Sequence, residues 1–199
     1  MWRCRLEFML MPFLVSYFGT MTPAVGESPV LFNGHWWLLL TQEERSGYIN
    51  GDEDCYRFEL DKIILPSKSA DEISEFVTNF YRNNIGNINE SAFSVIRRAD
   101  IKMGNVAELK GGEVWKDRHG YWNGDWWRQG QPADRLGFVE GYLSCLRSIE
   151  DKGKQFPNDP PAYVTFINRW YGLNQETGDV NPQREEAKIG DVLVGFGAK

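Results

Sequence analysis

Apolar side chains return at three- and four-residue steps through Phe138, Val139, Tyr142, Cys145, Leu146 and Ile149, the stripe of one helix face. Gln131-Pro132-Ala133-Asp134 opens that helix with proline in a first-turn position, where its missing N–H is not needed. Thr41-Gln42-Glu43-Glu44 has the spacing of a capping box and opens a second long helix. Ile73, Phe76, Val77 and Phe80 form the buried side of a helix that starts at Ser69-Ala70-Asp71-Glu72. Tyr163, Phe166, Ile167 and Trp170 do the same after Asp159-Pro160-Pro161. The pattern predicts helices over 41–61, 70–83, 133–151 and 160–172, with weaker ones over 89–99 and 182–194. This is an all-α chain.

The strong helices fall into two pairs, and the residues around them repeat at an offset of 90 positions. Asn33-Gly34-His35-Trp36-Trp37 recurs as Asn123-Gly124-Asp125-Trp126-Trp127. Arg45, Gly47, Gly51, Cys55, Arg57, Asp61 and Lys62 meet Arg135, Gly137, Gly141, Cys145, Arg147, Asp151 and Lys152. Phe76-Val77 and Tyr81 meet Phe166-Ile167 and Tyr171. A period of this kind is read before any other fold argument. It predicts two pseudo-repeats, of about three helices each, packed on a shared core. Repeat 1 spans 27–101 and repeat 2 spans 123–199, with a Gly-rich polar linker over 102–122. Gly86, Ile88 and Asn89 align with Gly178, Val180 and Asn181 if the second copy carries two extra residues.

Gly47, Gly51 and Cys55 stand at i, i+4 and i+8 of the first long helix, as Gly137, Gly141 and Cys145 do in the second. Glycine inside a helix costs about 1 kcal/mol relative to alanine, so each row asks for a close neighbour. Either the sister helix lies there, or the Trp pair of each copy fills the groove of its own glycines.

Arg3 and Arg5, then the apolar run Phe8 to Met21 and the small residues up to Gly26, have the order of a secretory signal peptide over 1–26. Its removal takes basic residues from 22 to 20 and acidic ones from 28 to 27, a net charge of −7. That acidic balance argues against a nucleic-acid partner, which needs a basic footprint. No later segment is long and apolar enough to span a bilayer. Cleavage also removes Cys4 and leaves Cys55 and Cys145. In an exported chain two cysteines at equivalent positions predict one disulfide, the alternative being two buried thiols. The expected compartment is periplasmic or secreted.

Tyr48-Ile49-Asn50-Gly51 and Phe138-Val139-Glu140-Gly141 each precede a cysteine on the same helix. Turns with Pro66 and Pro157 follow, then helices ending in Phe80-Tyr81 and Trp170-Tyr171. This order resembles the small all-helical periplasmic immunity proteins that neutralise peptidoglycan-amidase toxins of the type VI secretion system. Each copy corresponds to about one domain of that family. The resemblance implies an all-helical exported protein that binds a secreted effector.

Two groups are candidates for partner contact. Asp52, Glu53 and Asp54 make the first long helix strongly acidic where the second has Tyr142, Leu143 and Ser144. The first is therefore expected to turn an acidic face to solvent or partner, and the second to supply more of the core. Three consecutive helical residues point in different directions, so they do not converge on one metal ion. Trp115, Tyr121 and Trp122 lie outside the paired motif and offer ring faces to a protein, or alternatively to a saccharide or cell-wall fragment. The Trp pairs are expected to be structural.

Catalytic patterns are missing. His35 and His119 have no metal-ligand spacing, and there is no nucleophile elbow, P-loop or dinucleotide fingerprint. The sequence reading is a protein-binding module, not an enzyme, with no cofactor and no metal.

Overall fold

Nine helices carry the fold in the computed structural model, which describes residues 32–60, 62–64, 69–103, 106–108, 122–149, 156, 158–173 and 182–197. They are α1 (Gly34–Leu39), α2 (Gln42–Leu60), α3 (Ala70–Asn83), α4 (Ala92–Met103), α5 (Gly124–Gln129), α6 (Pro132–Ile149), α7 (Pro160–Trp170), α8 (Pro182–Glu186) and α9 (Ile189–Gly197). Strands β1 (Lys62–Ile64) and β2 (Val106–Glu108) pair antiparallel, so part of the expected linker returns to the segment after α2. The segment 1–26 expected to be a signal peptide, with Cys4, and Trp115, His119 and Tyr121 lie outside the described residues. The chain is all-α apart from that short ladder.

The expected start signals act as written. The Thr41 hydroxyl accepts from the Glu44 N–H at 3.2 Å while the Glu44 carboxylate accepts from the Thr41 N–H at 2.8 Å. Ser69 and Glu72 close the same reciprocal box on α3, and Asp159 caps α7. The Asn-Gly steps that look like turns in the sequence instead start the short helices α1 and α5. Asn33 and Asn123 accept from backbone N–H groups of the first turn.

Each short helix is fixed by one set of contacts, found at 90 positions' offset. Trp37 Nε1 donates to Thr78 Oγ1 at 3.0 Å, and Trp127 Nε1 donates to Asn168 Oδ1 at 2.9 Å. Arg45 Nε donates to the Trp37 carbonyl at 3.1 Å, and Arg135 Nε to the Trp127 carbonyl at 2.7 Å. Gly34 and Gly124 lie flush against the rings of Tyr81 and Tyr171, where a Cβ would collide. Those tyrosines donate to the Glu90 carbonyl at 2.9 Å and the Ala187 carbonyl at 2.8 Å. Trp37 and Trp127 are fully buried.

The third helices depart from the expected register. Asn33 bridges to Ser91 before α4, whereas Asn123 bridges to Lys188 before α9, so these counterparts are 97 positions apart. Seven more residues separate the second pair of bridged positions than the first, and the predicted helix over 182–194 is broken into α8 and α9. Gly178, Val180 and Asn181, the expected counterparts of Gly86, Ile88 and Asn89, lie outside the described residues.

The glycine rows face one another. A Cβ on Gly47 or Gly51 would fall on the carbonyl of Asp134 or Phe138, and one on Gly137 or Gly141 on the carbonyl of Glu44 or Tyr48. The contacts are reciprocal at the 90-residue offset, and both rows ascend together, so α2 and α6 run parallel in backbone contact. Carbonyl oxygens sit against Cα–H groups, a weak attraction that recurs where helices pack this closely. At the end of the row Cys55 and Cys145 form a disulfide with Cα atoms 6.1 Å apart, within the bridging range. Of the two neighbours open to the glycines, the sister helix is the one present.

A seam of glycine has no apolar side chains to merge the two sides. The buried residues therefore form two clusters rather than one shared core. One is built around Trp37, Ile73, Val77 and Ile96. The other is built around Trp127, Phe138, Leu143 and Ile167.

Gly51→Ala or Gly141→Ala should destabilise the protein by about 3 kcal/mol, because backbone cannot move aside as a side chain can. Gly86→Ala, with nothing within 4 Å of its Cβ, should stay within about 0.5 kcal/mol. Urea unfolding of the three variants measures the contrast, and matching midpoints would contradict the seam. Thiol titration of the denatured, unreduced mature protein should find no free cysteine. Cys55→Ser with Cys145→Ser should lower stability by about 4.6 kcal/mol on the chain-entropy estimate for a loop of 90 residues.

Candidate functional site

The acidic run does not face solvent. Asp52 is 0% and Asp54 1% exposed, and Glu53 is half-buried. The reason is the position of α2, which packs against α3 as well as α6 and so buries more than one side. Asp52 turns toward α4 and forms an ion pair with Arg97 Nη2. Arg97 Nη1 lies 3.0 Å from Asp100 Oδ2. The guanidinium also stacks over Tyr56, 4.2 Å from the ring centroid, and reaches Phe93 at 5.4 Å. Asp54 points elsewhere, with its charge felt at the Tyr171 hydroxyl of the other half. The three acids therefore do not form one surface, and the outward acidic face expected from the sequence is corrected here.

A swap of volumes accounts for the Asp52 environment. Its counterpart in α6 is Tyr142, whose hydroxyl lies 2.6 Å from the place a Cβ on Gly190 of α9 would occupy. In the first half the small residue, Asp52, is on the long helix, and the large one, Phe93, follows the first residue of α4 as Gly190 follows that of α9. The remaining space holds the Arg97 guanidinium and its two carboxylates.

Burial raises the Asp52 carboxyl to about 7, with Arg97 opposing the rise and Asp100 adding to it. Burial works against the charge on Arg97, but Asp52 and Asp100 outweigh it and hold the guanidinium firmly protonated. Nearby on α6, Glu140 is raised to about 7 by burial and by Glu44. Burial and the Asp52 charge push the Tyr48 hydroxyl well above its usual range. Burial and the second carboxylate both favour the protonated form of Asp52, and the guanidinium opposes them.

Trp122 belongs to the edge of the second cluster. Its ring lies 5.1 Å from Trp126, and its carbonyl accepts from the Ile189 N–H at 2.9 Å. Among the described residues no group of three or more His, Cys, Asp or Glu is placed to hold a metal ion, and no helix is long and apolar enough to cross a membrane.

An open groove of about 490 Å³ lies on the first half between the start of α2 and α3, lined by residues that include Gln42, Arg45, Asp71, Glu75, Asn79 and Arg82. Asp71 accepts from Ser46 at 2.6 Å and from Gln42 at 3.0 Å, which holds its carboxylate below the usual range. Glu75, Asn79 and Arg82 are exposed at i, i+4 and i+7 of α3. Sequence reasoning passed over this groove because its residues look like an ordinary solvated helix face. It also passed over Arg97 and Asp100. There the signal was Asp100 standing four residues after Ile96 on the buried stripe of α4.

Arg97→Met leaves two buried carboxylates without their cation and should destabilise the protein by about 3 kcal/mol. Arg98→Met removes a surface pair with Glu90 and an exposed stacking contact with Phe80, and should cost about 1 kcal/mol. Chemical denaturation at neutral pH compares them, and equal losses would mean that the buried triad contributes nothing special. Compared with known proteins, the chain matches no family model, no curated protein and no solved structure.

Proposed function

We propose that this chain is an exported, non-enzymatic module of two pseudo-repeats that binds another protein through the polar groove of its first half. The observation that carries this reading is a difference between surfaces on matching scaffolds. Where the groove presents Gln42, Asp71, Glu75, Asn79 and Arg82, the residues 90 positions on are Pro132, Pro161, Thr165, Arg169 and Gly172. The seam, the caps and the Trp anchors agree between halves while this face does not. A face with both signs of charge at fixed helical spacing suits a partner by charge complementarity. The Cys55–Cys145 bond fits an oxidising compartment. The resemblance to type VI immunity proteins supplies the concrete form, neutralisation of a cell-wall-degrading effector. Of the rings offered to a saccharide, Trp122 is engaged at the edge of a core, and Trp115 and Tyr121 lie outside the described residues.

The test is capture of partners by the mature protein from the exported fraction of its native cell, with a Glu75→Lys/Arg82→Glu variant in parallel. A partner held by the wild type should be weakened at least about tenfold by the charge swap, about 1.4 kcal/mol of binding, with the melting temperature unchanged. For the immunity form, the purified partner should hydrolyse peptidoglycan and be inhibited by adding the wild type. Equal retention by both proteins would overturn the groove assignment. A partner without cell-wall activity would overturn the immunity form.

A further inference from the structure

We propose that the polar groove of the first half is also where two copies of this chain meet, α3 against α3 across a two-fold axis. The groove is bipolar. Asp71 and Glu75 stand toward one end of its α3 wall and Arg82 toward the other. Arg45 lines the basic end as well. Burial pushes its guanidinium below the usual value and the charge of Arg82 pushes it further, with Glu44 opposing. Glu75 and Arg82 are seven residues apart, about 10.5 Å along the helix axis. That is too far to pair within α3, where partners stand three or four residues apart. Asn79 lies between them, and all three are exposed.

Turned about a two-fold axis beside Asn79, this pattern complements itself. In an antiparallel pair, Arg82 of each copy meets Glu75 of the other, and the two Asn79 amides face each other at the centre. A single asparagine in such a seam sets the register of paired helices. The steps of four and three residues from Glu75 to Asn79 to Arg82 are those on which helices pack lengthwise. Each α3 then fills the groove of the other copy, between its α2 and its α3. The second half carries Thr165, Arg169 and Gly172 at these positions, so the contact closes as a pair and does not propagate. Exposed ion pairs contribute little each, so the pair forms at high protein concentration and weakens with salt. This pairing rests on the groove being a contact surface, as proposed above, and a foreign partner must displace the second copy.

Sedimentation velocity of the full mature chain, from about 10 μM to about 1 mM, tests this. The wild type should shift toward a dimer, and about 0.5 M salt should reverse the shift. Glu75→Lys or Arg82→Glu alone sets like charges opposite each other and should weaken self-association at least about tenfold. An equimolar mixture of the two variants should recover it. So should the double variant Glu75→Lys/Arg82→Glu, whose reversed charges still complement themselves. The same double variant loses a foreign partner held by these charges, so self-association and capture fail separately. A wild type that stays monomeric throughout would overturn the pairing, whatever the capture result. So would single variants that associate as the wild type does, or a double variant that stays monomeric.

Discussion

The contact on which the rest depends is backbone against backbone, where α2 and α6 meet along Gly47, Gly51, Gly137 and Gly141. Helix packing normally keeps axes 8–10 Å apart because side chains stand between them. Here each glycine admits a carbonyl of its neighbour. The contact is self-complementary, the same patch on each side, as across a two-fold axis. Everything outward of it follows. The short Trp-bearing helix of each half is tied by an arginine of its own long helix, so setting the seam also sets the two Trp anchors.

A seam without side chains has a second effect. It gives the two halves a common frame and leaves two clusters, joined where Cys55, Tyr56 and Phe93 reach into the second. The second half packs Tyr142 against Gly190, while the first places Asp52, Arg97 and Asp100 in the corresponding region. A buried ion pair is poor ground for stability, since apolar replacements of the same size often do better.

Features governed by neighbours in sequence were legible. Capping boxes, apolar stripes and the i, i+4, i+8 rows fixed the four strong helices to within two residues at each end, and the paired cysteines announced their bond. Features governed by distant partners were hidden. Asp52 looked like solvent-facing charge because its cation stands 45 positions away on another helix. The third helix of the second half slipped register because its extra residues fall between elements, where the apolar pattern carries no count. Asn33 and Asn123 look like turn residues next to glycine, and only the backbone shows them capping helices. The groove was invisible for a simpler reason, as exposed polar residues on α3 look the same whether or not a surface curves around them.

The bond between Cys55 and Cys145 closes a covalent ring of the whole stretch between them. That ring contains α3, α4, α5 and most of α6, and leaves α7 to α9 outside it. Tension applied at the two ends of the chain would pass from α2 through the sulfur atoms into the last residues of α6. The helices α3, α4 and α5 and the Gly137-Gly141 side of the seam would carry none of it, whereas Gly47, Gly51 and Asp52 precede Cys55 and lie on the loaded path. A backbone cut anywhere inside the ring would likewise leave a single covalent molecule. The stretch between the two cysteines is thus sheltered from a load that α1, the start of α2 and the last three helices must bear.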